Sequence, residues 1–569
     1  MKFLDSSITS VNAAALLLGA AGLLSRLLGV LRDRMLASEF GAGRELDIYY
    51  AAFQIPDFMA VLFLLGAASA AILPVFQEYL ARDRALAERL IASLARVFVV
   101  GAGLAAFVAA LAAPVLISFI APGFSEAERE MTVTLTRIML LSPILFGLSG
   151  IFSTVVQSFG RFFAYALAPI LYNVGIIIGI GALAPRFGLP GLAAGVVLGA
   201  FLHFGISWWT ARELGFHVPI LDRYRMYRSK IGTEGTEGEG IRRVFWIAIP
   251  RVLSVSLSNL TLLALVAIAS TLSAGSIAVF QLAQNLYFVP IGIFAIGYAT
   301  VLFPRMSRAF VARNGDAFFE DLFSGIRSIL FWILPSAVLF IVLRAHIVRA
   351  ALGAGAFSWE DTRFTAAVLA VFAVAMAAGA LAPFFIKGFY ALENTWRPLA
   401  INVVASVATI ALALVFVQFF TTASVWREWM LGLFRIRDLL QPEVMGLAWG
   451  FALGLLLNAF LLYRSLCARA QKIFHMASHF PYAAAAKIFV ASLIAGATAY
   501  GVRVSFAQTL PLIGFREVML QGVLAGIAGV FVYMVFLLLL RSEEASALIA
   551  TLRRHAFRVG MLPKSWEEV

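Results

Sequence analysis

Cysteine is almost absent. A single thiol, Cys467, in 569 residues excludes an intramolecular disulfide and any cysteine-based metal cluster, and reads as a buried, inert side chain. Charge is scarce as well: 13% of residues are Asp, Glu, Lys or Arg against 62% apolar, with a mean hydropathy of +0.92. That balance cannot coat a water-facing surface. Six histidines leave little metal chemistry. His475 and His479 in "HMASH" have i,i+4 spacing but lack the glutamate and third ligand of a hydrolytic site, so they read as a chance feature of a basic segment. No Walker-type glycine loop is present, and the largest loop, 212–243, holds only the dispersed acids of "TEGTEGEG". The chain is therefore read as a non-enzyme with no cofactor and no metal.

What is abundant is long apolar runs. Fourteen reach spanning length, from 10–36 at one end to 517–540 at the other, which predicts an all-α polytopic membrane protein. The first run is too long for a signal-peptide core and is followed by further spans, so it is read as a retained helix. The net charge of +13 sits in short loops and forms no stripe, which excludes nucleic acid and points to membrane lipids and a lipid-linked anionic substrate. Lys and Arg favour one side of the spans about two to one, placing both termini in the cytoplasm.

The chain also repeats itself. "EFGAG" ending at Gly43 recurs as "TLSAG" ending at Gly275, "ILPVF" with Pro74 as "LFPRM" with Pro304, and "PGFSEAER" with Phe124 as "GAFSWEDTR" with Phe357. "APILYNV" (Pro169, Asn173) returns as "RPLAINV" (Pro398, Asn402). Six spans per copy make the halves parallel, the arrangement in which two lobes rock about a central cavity. The expected plan is an N-terminal lobe (1–228), a flexible linker (229–240), a second lobe (241–420 and 443–467) interrupted by an interfacial outer segment (421–442), two extra transmembrane helices (483–540) and a cytoplasmic tail (541–569). Within it, 424–442 suits a helix lying in the interface, and 541–559 a solvated amphipathic tail helix without partners. Gly66, Pro74, Pro250, Pro290, Gly297 and Pro304 mark expected bends.

Of the 44 basic residues, Arg26 and Arg251 alone fall at membrane depth. An arginine at the centre of an isolated span costs about 2.5–3.5 kcal/mol, so it persists where it faces a wet cavity, pairs or snorkels. Asp33 shares the face of Arg26 but lies two turns away, about 10.5 Å along the axis, too far for a direct pair. Arg251 precedes Ser258, the repeat equivalent of Arg26, by seven residues and shares its face. Two guanidiniums facing the space between lobes suit a pyrophosphate headgroup, which their forks bind bidentately. The competing structural reading has both arginines tie helices together through backbone carbonyls or through Asp47 and Asp57.

At these residues a family resemblance appears. "SRLLGVLRDRMLASEFGAGRELDIYYAAFQIPD" resembles the start of the MurJ/MviN lipid II flippases, with pattern S-R-x-L-G-x-x-R-D, then F-G-A-G-x-x-x-D, then F-x-x-P-N. "GFYALENTWRPLAINV" (388–403) resembles a second signature of that family. The resemblance implies a member of the multidrug/oligosaccharidyl-lipid/polysaccharide exporter superfamily that moves undecaprenyl-pyrophosphate-linked sugar across the bacterial inner membrane by alternating access, with cell-wall synthesis proteins as further partners. It implies that Arg26 and Arg32 line the cavity and that Asp47 and Asp57 lie near its outer gate. Departures are visible: Ala60, Val61 and Leu65 stand where that family carries charge, as do Gln284, Asn285 and Phe288, and Asn394 takes the place of the acid of the second signature, with Glu393 beside it. The candidate head-group contacts are Arg26, Arg32, Arg251 and Asn285, and the gate residues are Asp47 and Asp57. Phe489, Leu493, Leu520 and Val523 in the last two spans are candidates for a lipid-tail groove, their ordinary alternative being plain lipid-facing surface. A flippase for another polyprenyl-linked glycan, a drug or cation antiporter of the same superfamily, and a non-transporting cell-wall assembly scaffold are the remaining readings. Cavity arginines speak against a site for cationic drugs.

Overall fold

The computed structural model describes residues 11–66, 69–216, 259–422, 424–438, 442–476, 480, 482–507 and 514–558, and among them the chain is helical with no strand. It divides into two compact units, residues 1–281 with 354–358, and residues 282–353 with 359–569. Ten helices are long and apolar enough to cross a membrane, eleven if one bent pair counts as a single span. The predicted run 244–270 lies mostly outside the described residues, and the expected count of fourteen agrees only roughly with the spans found among the described ones.

The first unit holds α1 (Val11–Phe40), α2 (Arg44–Gly66), α3 (Ser69–Arg82), α4 (Arg84–Ile120), α5 (Glu126–Ser158), α6 (Phe162–Phe187), α7 (Leu189–Glu213), α8 (Asn259–Ser270) and the first turns of α9 (Ser276–Val311). Local chemistry sets its helix starts. The Asp83 carboxylate accepts from the Ala85 amide at 3.1 Å to open α4. Ser125 and Glu128 form a capping box that opens α5, each side chain accepting from the other's backbone N–H. Helices α6 and α7 touch backbone to backbone through Gly175 and Gly179 on one side and Gly195 and Gly199 on the other, the close approach that small residues at four-residue spacing allow between membrane helices. A Cβ on Gly179 would stand 2.5 Å from the Gly195 Cα, so no side chain fits there.

The second unit holds the rest of α9, then α10 (Gly315–Val342), α11 (Arg344–Leu352), α12 (Trp359–Val374), α13 (Met376–Ala391), α14 (Trp396–Thr421), α15 (Val425–Phe434), α16 (Val444–Phe474), α17 (Tyr482–Ala507), α18 (Phe515–Leu539) and α19 (Glu543–Arg558). Helices α12 and α13 form the bent pair, at 47°. The predicted bend at Pro290 coincides with a wide π turn at Ile291–Ala295 inside α9. Proline supplies no N–H to the preceding turn, and the ladder loosens there. The last two spans pack on α10 around Phe331, Ile488, Ala491, Ala495, Tyr533 and Leu537, with the Tyr533 hydroxyl donating to the Phe331 carbonyl at 2.6 Å. One expectation is corrected here. The tail helix α19 is not free of partners, because Ala545 joins that core and Arg327 pairs with Glu543 at 3.4 Å and Glu544 at 3.0 Å.

Within 421–442 the chain forms a short helix, α15. The Ser424 hydroxyl caps it by accepting from the Arg427 amide at 3.1 Å, and Val425, Trp426, Trp429 and Leu433 all stand exposed on it. The linker 229–240, Pro250, Arg251, Ser258 and His479 lie outside the described residues.

Candidate functional site

Arg26 lies near the middle of α1, roughly 20 Å from either helix end. Its side chain is half-buried. Among the described residues it makes no hydrogen bond and no ion pair. The surrounding helix is thinly covered: Leu23, Leu24, Leu27 and Leu31 are exposed, and a Cβ added at Gly19, Gly22 or Gly29 would meet open space. The guanidinium thus stands midway along a thinly covered helix with its donors unused among the described residues.

Arg32 differs. Its Nε and Nη2 both donate to the Asp33 carboxylate, at 3.0 and 2.8 Å, and its Nη1 to the Asn173 carbonyl oxygen on α6 at 3.3 Å. Asn173 turns its amide back to the Ser25 backbone and hydroxyl oxygens, both at 3.3 Å, and to the Pro169 carbonyl at 3.1 Å. The asparagine of the first "P-x-x-x-N" repeat thus ties α6 to α1 between the two arginines. Arg32 is neutralised by Asp33 and only partly exposed, which makes it a fastening of α1 with some donors left over.

Asp47 and Asp57, ten residues apart on α2, have opposite environments. Asp57 is exposed in the middle of an apolar helix. Asp47 is 1% exposed and accepts from the backbone amides of Gly275 at 2.6 Å and Ala278 at 2.8 Å, with Arg44 Nη1 at 3.7 Å. These amides belong to the first turn of α9, where unpaired N–H groups and the helix dipole attract negative charge. Asp47 therefore caps α9 from another helix. Arg44 reaches on to Glu128 at 3.1 Å and lies over the Phe124 ring at 5.3 Å.

Two further bonds join the same loops. The Gly123 amide donates to the Ser270 hydroxyl at 3.2 Å, and the Ala356 amide to the Ser38 carbonyl at 2.8 Å. In the repeat Ser38 corresponds to Ser270 and Gly123 to Ala356, so the same pair of loops meets twice, once through the serine hydroxyl and once through the serine carbonyl. Each half's "GFS" or "AFS" loop docks on the end of the other half's first helix. Residues 354–358 belong to the first unit for this reason. The helix ends of α1, α4 and α8 are thereby sealed together by four repeat-related loops and one buried carboxylate. Sequence reasoning placed these loops in register but did not foresee that they bind one another.

Asn285 is half-buried on α9. Phe489 and Leu493 on α17, and Leu520 and Val523 on α18, are each about half exposed. The two helices pack antiparallel, Ile488 beside Leu537 and Ala495 beside Gly529, so the two pairs lie toward opposite ends of the helix pair. A separate apolar groove of about 320 Å³ opens in the second unit, lined by Ile326, Leu330, Phe385, Phe460, Tyr463 and Tyr482. None of the four predicted groove residues lines it. Arg251 cannot be placed, lying outside the described residues.

Comparison with known proteins gives a consistent result. The family model described as lipid II flippase MurJ matches residues 36–516. A Vibrio cholerae protein named probable lipid II flippase MurJ is 26% identical over 544 residues, covering 93% of this chain and 95% of that one. A Rhizobium tropici protein of the same name is 28% identical over 410 residues, covering 70% and 74%. Among solved structures, a lipid II flippase MurJ in an inward closed conformation superposes with a TM-score of 0.68 at 22% identity, over 92% of this chain and 98% of that one. An inward-facing multidrug resistance MATE transporter superposes with a TM-score of 0.62 at 15% identity, over 80% and 96%. These two likenesses concern the fold.

Proposed function

Since the chain belongs to the MurJ lipid II flippase family, we propose that it carries lipid II, the undecaprenyl-pyrophosphate-linked peptidoglycan precursor, across the bacterial inner membrane by alternating access. The observation that carries this reading is the family match, continuous over residues 36–516. The chain is a multi-pass membrane protein, and a carrier of this kind needs no reactive group. The lipid tail stays in the bilayer while the charged head crosses a hydrated cleft that opens to one side at a time.

In this reading both termini are cytoplasmic, and the sealed ends of α1, α4 and α8 form the closed outer gate. Arg26 is the head-group contact, its guanidinium fork meeting phosphate oxygens bidentately. Support comes from its lack of any partner among the described residues. Arg32 holds α1 to α6 through Asp33 and Asn173 and lends its remaining donors to the same head. Arg251 and Asn285 remain further candidate head-group contacts on the grounds of sequence. Asp47 is the latch of the outer gate and Asp57 a polar group below it. Phe489, Leu493, Leu520 and Val523 mark the surface along which the tail slides. Cell-wall synthesis proteins that consume the delivered precursor are the expected partners.

Depleting the protein in its own cells and measuring lipid II exposed on the outer face tests this directly. Exposure should fall as the protein is lost and return with the wild-type chain. Exposure that continues at the normal rate in cells lacking the protein overturns the assignment.

A further inference from the structure

At the far end of α10, away from the tail helix, three arginines gather without a carboxylate. Arg344 opens α11, Arg503 lies near the end of α17, and Arg435 follows α15. Burial, then the positive charges of Arg503 and Arg435, push the Arg344 guanidinium below its ordinary pKa. None of the three forms an ion pair with a described residue. The acids flanking Arg435 in sequence are already committed: Asp438 is held by two Arg363 nitrogens at 2.5 and 2.6 Å, and Glu428 by Arg427 at 3.0 Å.

The cluster is built, not splayed. Arg344 Nη1 donates to the Ile341 carbonyl at 3.1 Å and Arg503 Nη1 to the Val342 carbonyl at 3.2 Å. The two cations cap the negative end of α10 and leave the rest of each fork unused. Arg344 lies over the Phe434 ring at 6.0 Å and Arg503 over Tyr500 at 4.8 Å. Beneath them, Gln521 Nε2 donates to the Arg503 carbonyl at 2.8 Å, so Gln521 Oε1 accepts from His346 Nε2 at 2.7 Å. That leaves the Nδ1 lone pair of His346, a residue 5% exposed, without a partner among the described residues. The relay fixes α11, α17 and α18 to one another under the arginines.

The depth of the cluster is marked by α15, whose last residue, Phe434, carries Arg344 and whose Val425, Trp426, Trp429 and Leu433 are uncovered. Exposed tryptophans on a short amphipathic helix settle at the boundary of headgroups and acyl chains. Guanidiniums held at that level with free donors meet lipid phosphates, and unneutralised positive charge selects the anionic ones.

We propose that Arg344, Arg435 and Arg503 form a binding site for the phosphate of an anionic phospholipid in the leaflet beside α15. The site is distinct from Arg26 and its surroundings. It rests on the membrane reading of the chain and not on the substrate carried, so it stands or falls separately from lipid II exposure.

The test is lipid retention by the full-length protein in neutral detergent, read by native mass spectrometry against added phosphatidylglycerol, phosphatidylcholine of the same chain length, or inorganic pyrophosphate. The wild type should retain phosphatidylglycerol in preference to phosphatidylcholine. Arg344→Gln and Arg435→Asn should each weaken that retention about five-fold. Arg435 adopts a left-handed backbone with φ of 60° that asparagine tolerates, and no bond of its side chain to a described residue is lost, so Arg435→Asn tests the charge without threatening the fold. Unchanged phosphatidylglycerol retention in Arg435→Asn overturns the proposal. So does equal retention of phosphatidylcholine, and so does complete displacement of the lipid by millimolar pyrophosphate, which would make the site one for a soluble or carried phosphate.

Discussion

The seal around Asp47 can be broken with one substitution. In Asp47→Ala the amides of Gly275 and Ala278 lose a buried carboxylate that accepts from them at 2.6 and 2.8 Å. Hydrogen bonds to a charged group contribute about 1.5–3 kcal/mol each, and a buried donor left unpaired costs about 1–3 kcal/mol. In the open state both amides and the carboxylate meet water, so only part of this sum separates the two states. A net loss of about 3 kcal/mol from the closed state is a reasonable working figure, and it corresponds to roughly a hundred-fold shift in the closed-to-open ratio. Ala121, fully buried at the C-terminal end of α4, which the proposed topology turns outward, offers a reporter. In a Cys467→Ser background, Ala121→Cys should react slowly with a membrane-impermeant maleimide added from outside. Asp47→Ala should accelerate that reaction by up to a hundred-fold, and Asp47→Asn, which keeps one acceptor oxygen but no charge, by roughly ten-fold. Ala193→Cys, buried in α7, serves as the control and should stay protected throughout. Identical Ala121→Cys rates with and without the carboxylate would refute the latch, as would a parallel rise at Ala193→Cys, which signals unfolding.

Arg26→Ala should lower lipid II exposure roughly ten- to a hundred-fold, the loss of one charge-assisted phosphate contact, at normal protein abundance; full rescue of depleted cells by the variant would reduce Arg26 to a helix fastening. Gly179→Ala drives a methyl group into the Gly195 backbone and should destabilise the α6–α7 pair by about 1–3 kcal/mol, seen as a lower thermal midpoint in detergent; an unchanged midpoint contradicts the close approach. The Arg363 fork, together with the backbone amide of Asp438, holds the Asp438 carboxyl down at about 2, below its ordinary value. A depressed carboxylate stabilises the fold above its unfolded pKa of about 4 and loses that contribution as pH falls toward 2. The difference in thermal midpoint between wild type and Arg363→Gln should accordingly be constant above about pH 5 and shrink on acidification through that window. A difference that persists unchanged to pH 2 would show that Arg363 acts through the Arg435 carbonyl alone.

The run lengths and their spacing made the helices legible, because a bilayer requires about twenty apolar residues per span and says so in composition. Arg26 was legible for the same reason: a lone charge inside such a run stands out. The division of labour between the arginines was not, since the hold of Arg32 on Asp33 depends on its rotamer and on Asn173, 141 residues away on another helix. Periodicity carries no information about that. The tail helix was misjudged on similar grounds, its acids reading as solvated charge until Arg327 is brought beside them.

The loop seal lies between these cases, and it shows what an internal repeat can and cannot announce. Once Ser38 is matched to Ser270 and Gly123 to Ala356, a single docking contact implies its twin, so the two uncharged bonds are a consequence of duplicated sequence. Asp47 is not duplicated: its repeat position is Val279, 2% exposed and uncharged. The paired bonds are neutral, one ending on the Ser270 hydroxyl and the other on the Ser38 carbonyl, whereas the carboxylate acts on α9 alone and is buried with its charge partly offset by Arg44. A seal composed only of the duplicated bonds would open with little preference for either half. Adding one buried charge to one half makes the α2–α9 contact the one bond of the seal without a twin, and the one whose loss the Asp47 variants isolate.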